Sequence, residues 1–131
     1  MQYSLEHIHL KAVDPEFTAN WYVKAFQFEI FSDRTTGAGA RSIECKTVDG
    51  ILVRISGPRP GDDMEPGDSG IHYGLEHFGI TVDDIMTEIK RLQELGAELI
   101  EGPIGSGESG PRIAFIKGPD DVRIELLQLS N

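Results

Sequence analysis

The strongest constraint in this chain is that it repeats itself. Residues 5–14 read LEHIHLKAVD and residues 75–84 read LEHFGITVDD. Both start Leu-Glu-His, and both reach an Asp seven residues after the histidine. The registers set His7 against His77, His9 against Gly79 and Asp14 against Asp84. A repeat of this length marks a supersecondary unit that is built twice.

Each repeat runs into a helical pattern. Asp14-Pro15 is a good start, because Asp caps the free N–H groups of a first turn and Pro lacks the N–H that would be unpaired at N1. Phe17, Trp21 and Ala25 then recur at four-residue steps, with Tyr22 and Phe26 beside them, so an apolar stripe is expected. The second helix is predicted from Asp84, with Ile85, Ile89 and Leu92 on its stripe, Met86 and Leu95 widening it, and Gly96 as C′ residue. Three strands are predicted after each helix: 28–32, 41–48 and 51–56, then 97–101, 112–117 and 122–127. Asp49-Gly50 is a two-residue hairpin signal, and residues 118–121 (Gly-Pro-Asp-Asp) are a turn signal. The prediction is a single α+β domain of two tandem β-α-β-β-β modules: module one over 5–58, a Gly/Pro/Asp-rich linker over 59–74, and module two over 75–129.

Strand side chains alternate between faces. Ile8, Leu10 and Ala12 share one face of the first strand, leaving His7, His9 and Lys11 on the other. Phe78, Ile80 and Val82 oppose His77, Gly79 and Thr81. In the last strands Val53 and Ile55 oppose Arg54, and Ile124 and Leu126 oppose Arg123, Glu125 and Leu127. The apolar faces belong under the helices. The polar faces then carry His7, His9, His77, Arg54 and Glu125. Two repeat-matched imidazoles and a carboxylate are the ingredients of a divalent metal site; a solvated or salt-bridged cleft is the alternative.

The paired modules, with LEHIHLKAVD, NWYVKAFQFEI, LEHFGITVDD and GPDDVRIELLQ, resemble the vicinal-oxygen-chelate superfamily of glyoxalase I, bleomycin-resistance proteins, methylmalonyl-CoA epimerase and extradiol dioxygenases. The resemblance spans about residues 5–129. It implies two curved sheets enclosing one cavity, with metal ligands from the first and last strand of each module. By position these fall on His7, His77, Glu125 and Arg54. Arg54 departs from the pattern, since a guanidinium has no lone pair for a cation. Three readings of Arg54 stand open: a fork for a substrate carboxylate or phosphate, a partner for Glu125 that replaces the metal, or an outward residue if the register is off by one. His9 is the spare ligand or general base.

The resemblance implies a metal-dependent lyase or isomerase. It would act on a small oxygenated substrate through an enediolate or enolate, with Zn, Ni, Mn, Co or Fe as Lewis acid, Glu125 and His9 as catalytic groups and Arg54 as substrate binder. The alternative is a non-catalytic, bleomycin-resistance-like binding protein. A non-haem iron dioxygenase is weaker: the tyrosine that precedes the ligand glutamate in those enzymes is Phe115 here, and no histidine lies between Glu101 and Glu125. The resemblance also leads us to expect a homodimer.

Composition narrows the partners. There are 22 acidic and 12 basic residues, a formal charge of −10, which disfavours nucleic acid and anionic membranes as partners. No apolar run approaches the ~18 residues of a membrane span, and MQYSLEHIHL has no signal-peptide character. The one cysteine, Cys45, cannot form an internal disulfide, so a cytoplasmic setting is expected. It is read as a buried inert thiol, placed opposite Arg54 by a two-residue hairpin, with Glu44 on the other face. The glycine-rich stretch 101–111 lacks the features of a P-loop and reads as a hairpin loop or a lid.

Overall fold

The computed structural model describes residues 1–130. The chain divides into two compact units, unit 1 from Met1 to Glu65 and unit 2 from Pro66 onward. Unit 1 contains β1 (His7–Lys11), α1 (Pro15–Phe26), β2 (Glu29–Thr35), β3 (Arg41–Lys46) and β4 (Leu52–Ser56). Unit 2 contains β5 (Phe78–Thr81), α2 (Ile85–Glu94), β6 (Glu98–Ile104), β7 (Arg112–Lys117) and β8 (Arg123–Gln128). Each unit is the expected β-α-β-β-β module, so the α+β fold of two tandem modules is present. The sheets are ordered β1-β4-β3-β2 and β5-β8-β7-β6. In both, the first strand runs parallel to the last and the remaining pairs are antiparallel.

The helix starts follow the predicted chemistry. The Phe17 N–H donates to Asp14 Oδ1 at 3.2 Å, and Pro15 opens α1. The N–H groups of Met86 and Thr87 donate to Asp84 Oδ1 at 3.1 and 3.2 Å. These bonds hold the Asp84 carboxyl below its ordinary range, the Thr87 amide most of all. Gly96 follows the cap of α2 at φ +95°, a conformation that glycine adopts without strain.

One helical stripe differs from expectation. Phe17 is 61% exposed, and α1 buries Pro15, Thr18, Ala19, Trp21, Tyr22 and Ala25 instead. Thr18, Tyr22 and Ala25 form the inward line, and the small side chains let the helix sit close to the sheet. Phe17 lies one residue off that line and turns to water. Trp21 stays inside, edge-on to Tyr22 at 5.0 Å, and Tyr22 stacks on Phe28 at 5.1 Å. In unit 2 the expected Ile85, Ile89 and Leu92 are buried, over Ala114, Ile116, Ile124 and Leu126, while Met86 is exposed. Burying each such aliphatic side chain contributes about 1.5–3 kcal/mol.

The β3–β4 connection corrects a second expectation. Thr47 pairs with Ile51, its N–H donating to the Ile51 carbonyl at 2.9 Å, which leaves a three-residue loop closed by Gly50 at φ +93°. The Thr47 hydroxyl also accepts from the Ile51 N–H at 2.9 Å and donates to Asp49 at 2.6 Å. One extra loop residue reverses parity across the hairpin. Cys45 therefore faces Val53, and Glu44 faces Arg54. β2 and β6 run three residues past their predicted ends, and the glycine-rich stretch after Ile104 forms the β6–β7 hairpin connection. The Gly-Pro-Asp-Asp turn is built by Asp120 and Asp121, both at positive φ, and packs so closely that a Cβ on Gly67 would meet the Asp120 carbonyl at 2.1 Å.

Cys45 is fully buried, and burial pushes its thiol up to about 11. The thiol therefore stays protonated through neutral and mildly alkaline pH. We expect iodoacetamide at pH 8 to leave native Cys45 unmodified and to alkylate it only in denaturant; rapid labelling of the native protein, read by intact mass, would contradict this burial. Leu92→Ala is expected to cost about 2–5 kcal/mol in urea unfolding, and a cost below about 1 kcal/mol would place Leu92 outside the core of unit 2.

Candidate functional site

The polar face of the unit 1 sheet consists of two register rows. One is His9, Arg54, Glu44 and Ser32; the other is Lys11, Ser56, Ser42 and Arg34. All of them but Ser32 line a cleft of about 250 Å³ that Thr36, Ala40 and Arg59 complete. Buried Val53 and Ile55 fix the register of β4, so Arg54 points into this cleft and the outward reading of it is overturned.

Four cations meet here: Lys11, Arg34, Arg54 and Arg59. Arg59 is held by Asp62 at 3.0 Å, and Lys11 donates to the Gly57 carbonyl at 3.3 Å. Arg34 and Arg54 approach the same oxygen of Glu44, at 3.7 and 3.9 Å, and Arg54 also meets Glu6 at 3.6 Å. These separations are too long for direct hydrogen bonds. Arg54 Nε is buried without a hydrogen-bond partner. Both side chains remain partly exposed, at 60% and 35%, which leaves their other guanidinium nitrogens open to the cleft.

His9 Nε2 is hydrogen-bonded to Ser56 Oγ at 2.7 Å. Its pKa lies below the ordinary value of 6.5, first because of burial and then because Lys11, His7 and Arg54 add positive charge around it. Neutral imidazole is the form that accepts a proton. The His7 ring lies 6.2 Å from His9, and its Nδ1 is bonded to Glu6.

Unit 2 brings two of the predicted ligands together. His77 Nε2 stands 3.0 Å from Glu125 Oε2, and Nδ1 donates to Glu76 Oε1 at 2.8 Å. Parallel pairing of β5 with β8 sets Gly79 beside Glu125, and Phe115 lies across from it on β7. Two donors about 3 Å apart suit one divalent ion with bonds of roughly 2.1 Å, and a carboxylate on the far ring nitrogen is the usual outer partner of a metal-bound histidine. The half-site in unit 2 therefore fits an ion. In unit 1 the matching position is Arg54, which cannot ligate one. Among the described residues no group of three or more His, Cys, Asp or Glu side chains is gathered to hold a metal.

Sequence reasoning passed over Glu44, Glu6, Glu76 and Arg123. Glu44 was hidden by the assumed two-residue hairpin. Glu6 and Glu76 stand in the repeated Leu-Glu-His itself, and each binds the Nδ1 of the histidine after it. Arg123 has the same strand parity as Glu125, which was its available signal.

Comparison with known proteins agrees with this architecture. The family profile described as Glyoxalase/Bleomycin resistance protein/Dioxygenase superfamily matches residues 4–126. A glyoxalase family protein from Bacillus cereus superposes with a TM-score of 0.84 at 17% identity, covering 100% of this chain and 97% of that one. A glyoxylase/bleomycin resistance protein/dioxygenase domain from Frankia sp. gives 0.73 at 16% identity, covering 98% and 93%. The fosfomycin resistance protein FosX from Listeria monocytogenes, solved with Mn(II) and sulfate, gives 0.70 at 17% identity, covering 98% and 93%. At such identities the structural matches establish the fold, and the profile establishes the family. The chain belongs to the glyoxalase/bleomycin resistance protein/dioxygenase superfamily.

Proposed function

We propose that the protein is a metal-dependent lyase or isomerase of the glyoxalase type, acting on a small oxygenated anion. The observation that carries this reading is the cation-lined cleft around His9 in an otherwise acidic chain. Arg34 and Arg54, whose side chains are 60% and 35% exposed, would bind a carboxylate or phosphate group of the substrate. His9, held by Ser56, would take the proton from the carbon beside the substrate carbonyl. Glu125 is the second candidate base, by its place beside His77.

A divalent ion (Zn, Ni, Mn, Co or Fe) held by His77 and Glu125 would supply Lewis acidity toward the substrate oxygens. The protein would work as a homodimer in the cytoplasm. Among the described residues no helix is long and apolar enough to cross a membrane. Arg54 at a ligand position supports a second reading, a small-molecule binder without chemistry. An iron dioxygenase gains no support, since Phe115 beside His77 and Glu125 has no proton to exchange.

Protein reconstituted with Mn(II) and screened against ketoaldehyde–thiol adducts and acyl-CoA epimers separates these readings. Turnover is expected, with His9→Gln lowering kcat by about 10²–10⁴ and Arg54→Ala acting mainly on KM. Tight anion binding without turnover under any metal would favour sequestration. Arg54→Glu is expected to raise divalent-metal affinity by adding an oxygen donor, and to weaken phosphate binding in calorimetry about tenfold or more. Unchanged affinity for both would remove Arg54 from the site.

A further inference from the structure

Arg123 opens β8 with a side chain only 4% exposed, yet it carries a full charge. Its counterpart in unit 1 is Leu52, which pairs with His7 in the parallel register. An apolar residue thus serves the fold at this position, and a buried guanidinium there needs another reason. Its contacts supply one. Nη1 donates to the Ser69 carbonyl at 3.0 Å and Nη2 to Glu101 at 2.9 Å, which anchors the head. Nε then lies 3.3 Å from Glu76 Oε1, an ion pair without a hydrogen bond, and that oxygen is hydrogen-bonded to His77 Nδ1. The guanidinium carbon sits 4.0 Å from the centre of the Phe115 ring, which meets the His77 ring at 5.1 Å and 80°.

Two routes therefore run from Arg123 to one imidazole, through Glu76 and through Phe115. We propose that Arg123 is a positioning residue: it fixes Glu76 and Phe115 around His77, so that the ring is held in one orientation with Nδ1 on Glu76 and Nε2 beside Glu125. Unit 1 repeats the device with different parts, since Glu6 is bonded to His7 and approached by Arg54. In both modules an arginine stands behind the glutamate of Leu-Glu-His. The arginine of unit 2 is the one that is buried and anchored.

This inference rests on the proposed role of His77 as a ligand, and its test separates the two. In metal-free protein at one fixed pH, the ring nitrogens of His77 are observed by ¹⁵N NMR, assigned through His77→Gln. One set of ring signals is expected, as for an imidazole held in one orientation between Glu76 and Glu125. Arg123→Met should displace both ring signals, and should weaken Mn(II) binding about tenfold or more. A merely structural role would lower Tm and leave the ring signals of the folded protein in place. Unmoved ring signals in folded Arg123→Met, or native Mn(II) affinity in that variant, would overturn the proposal. Glu76→Ala cuts the same route with Arg123 intact and decides the matter if Arg123→Met does not fold: displaced His77 signals support the proposal and native signals overturn it. If the native protein binds no Mn(II), the ligand role of His77 fails, while the ring signals still decide the role of Arg123.

Discussion

The parallel pairing of the first strand of each module with its last governs everything the two polar faces can do. Parallel neighbours need a long crossover, and here the helix and two strands supply it. Residues some 45 positions apart in the chain, such as His9 and Arg54, become direct neighbours. The pairing is useful only because its register cannot slip. Ile55 and Leu126 are fully buried under their helices, and a shift of one residue would carry them to the polar face. The apolar half of each strand thereby fixes which polar side chains meet.

Duplication preserves this frame while the rows on it diverge. At matching positions unit 1 sets His9, Arg54 and Glu44, where unit 2 sets Gly79, Glu125 and Phe115. The first row sets a guanidinium between an imidazole and a carboxylate; the second sets a carboxylate between a glycine and an apolar ring, with His77 reaching Glu125 from beside the row. A Cβ at Gly79 would meet Glu125 Oε2 at 3.6 Å, an ordinary van der Waals contact, so the divergence from His9 there is one of chemistry and not of space.

Much of this was legible in the sequence because it depends on local pattern. The repeat, the Asp caps and the period-two strands marked every module element, and each strand matched to within a few residues. The alternation of β4 and β8 placed Arg54 and Glu125 on the polar faces. The failures arose where a single residue alters geometry without altering pattern. Val48 belongs to the loop, and that one residue exchanged Cys45 and Glu44 between faces. Phe17 satisfied the helical spacing, but Thr18 and Ala19 made the closer-packing face. Glu6 and Glu76 were visible as letters of the repeat, but their bonds to neighbouring rings depend on side-chain conformations that no periodicity encodes.

The electrostatics of the cleft show why net charge is a poor guide to a small ligand. A formal charge of −10 repels an anion at long range, but ions screen surface charge within about 8 Å at physiological salt. Inside the cleft the nearest groups decide, and Lys11, Arg34 and Arg54 outnumber Glu44. Glu44 is the interesting member of this set. Its side chain is 15% exposed, and its Oε1 stands between two guanidinium groups without closing on either. A carboxylate in that place offsets the repulsion between the two cations when no ligand is bound, yet at 3.7 and 3.9 Å it leaves their hydrogen-bond donors unused. An incoming anion with several oxygens can take those donors without first breaking a strong bond. The ion pair that steadies the two cations is thus weak enough to leave their donors unused.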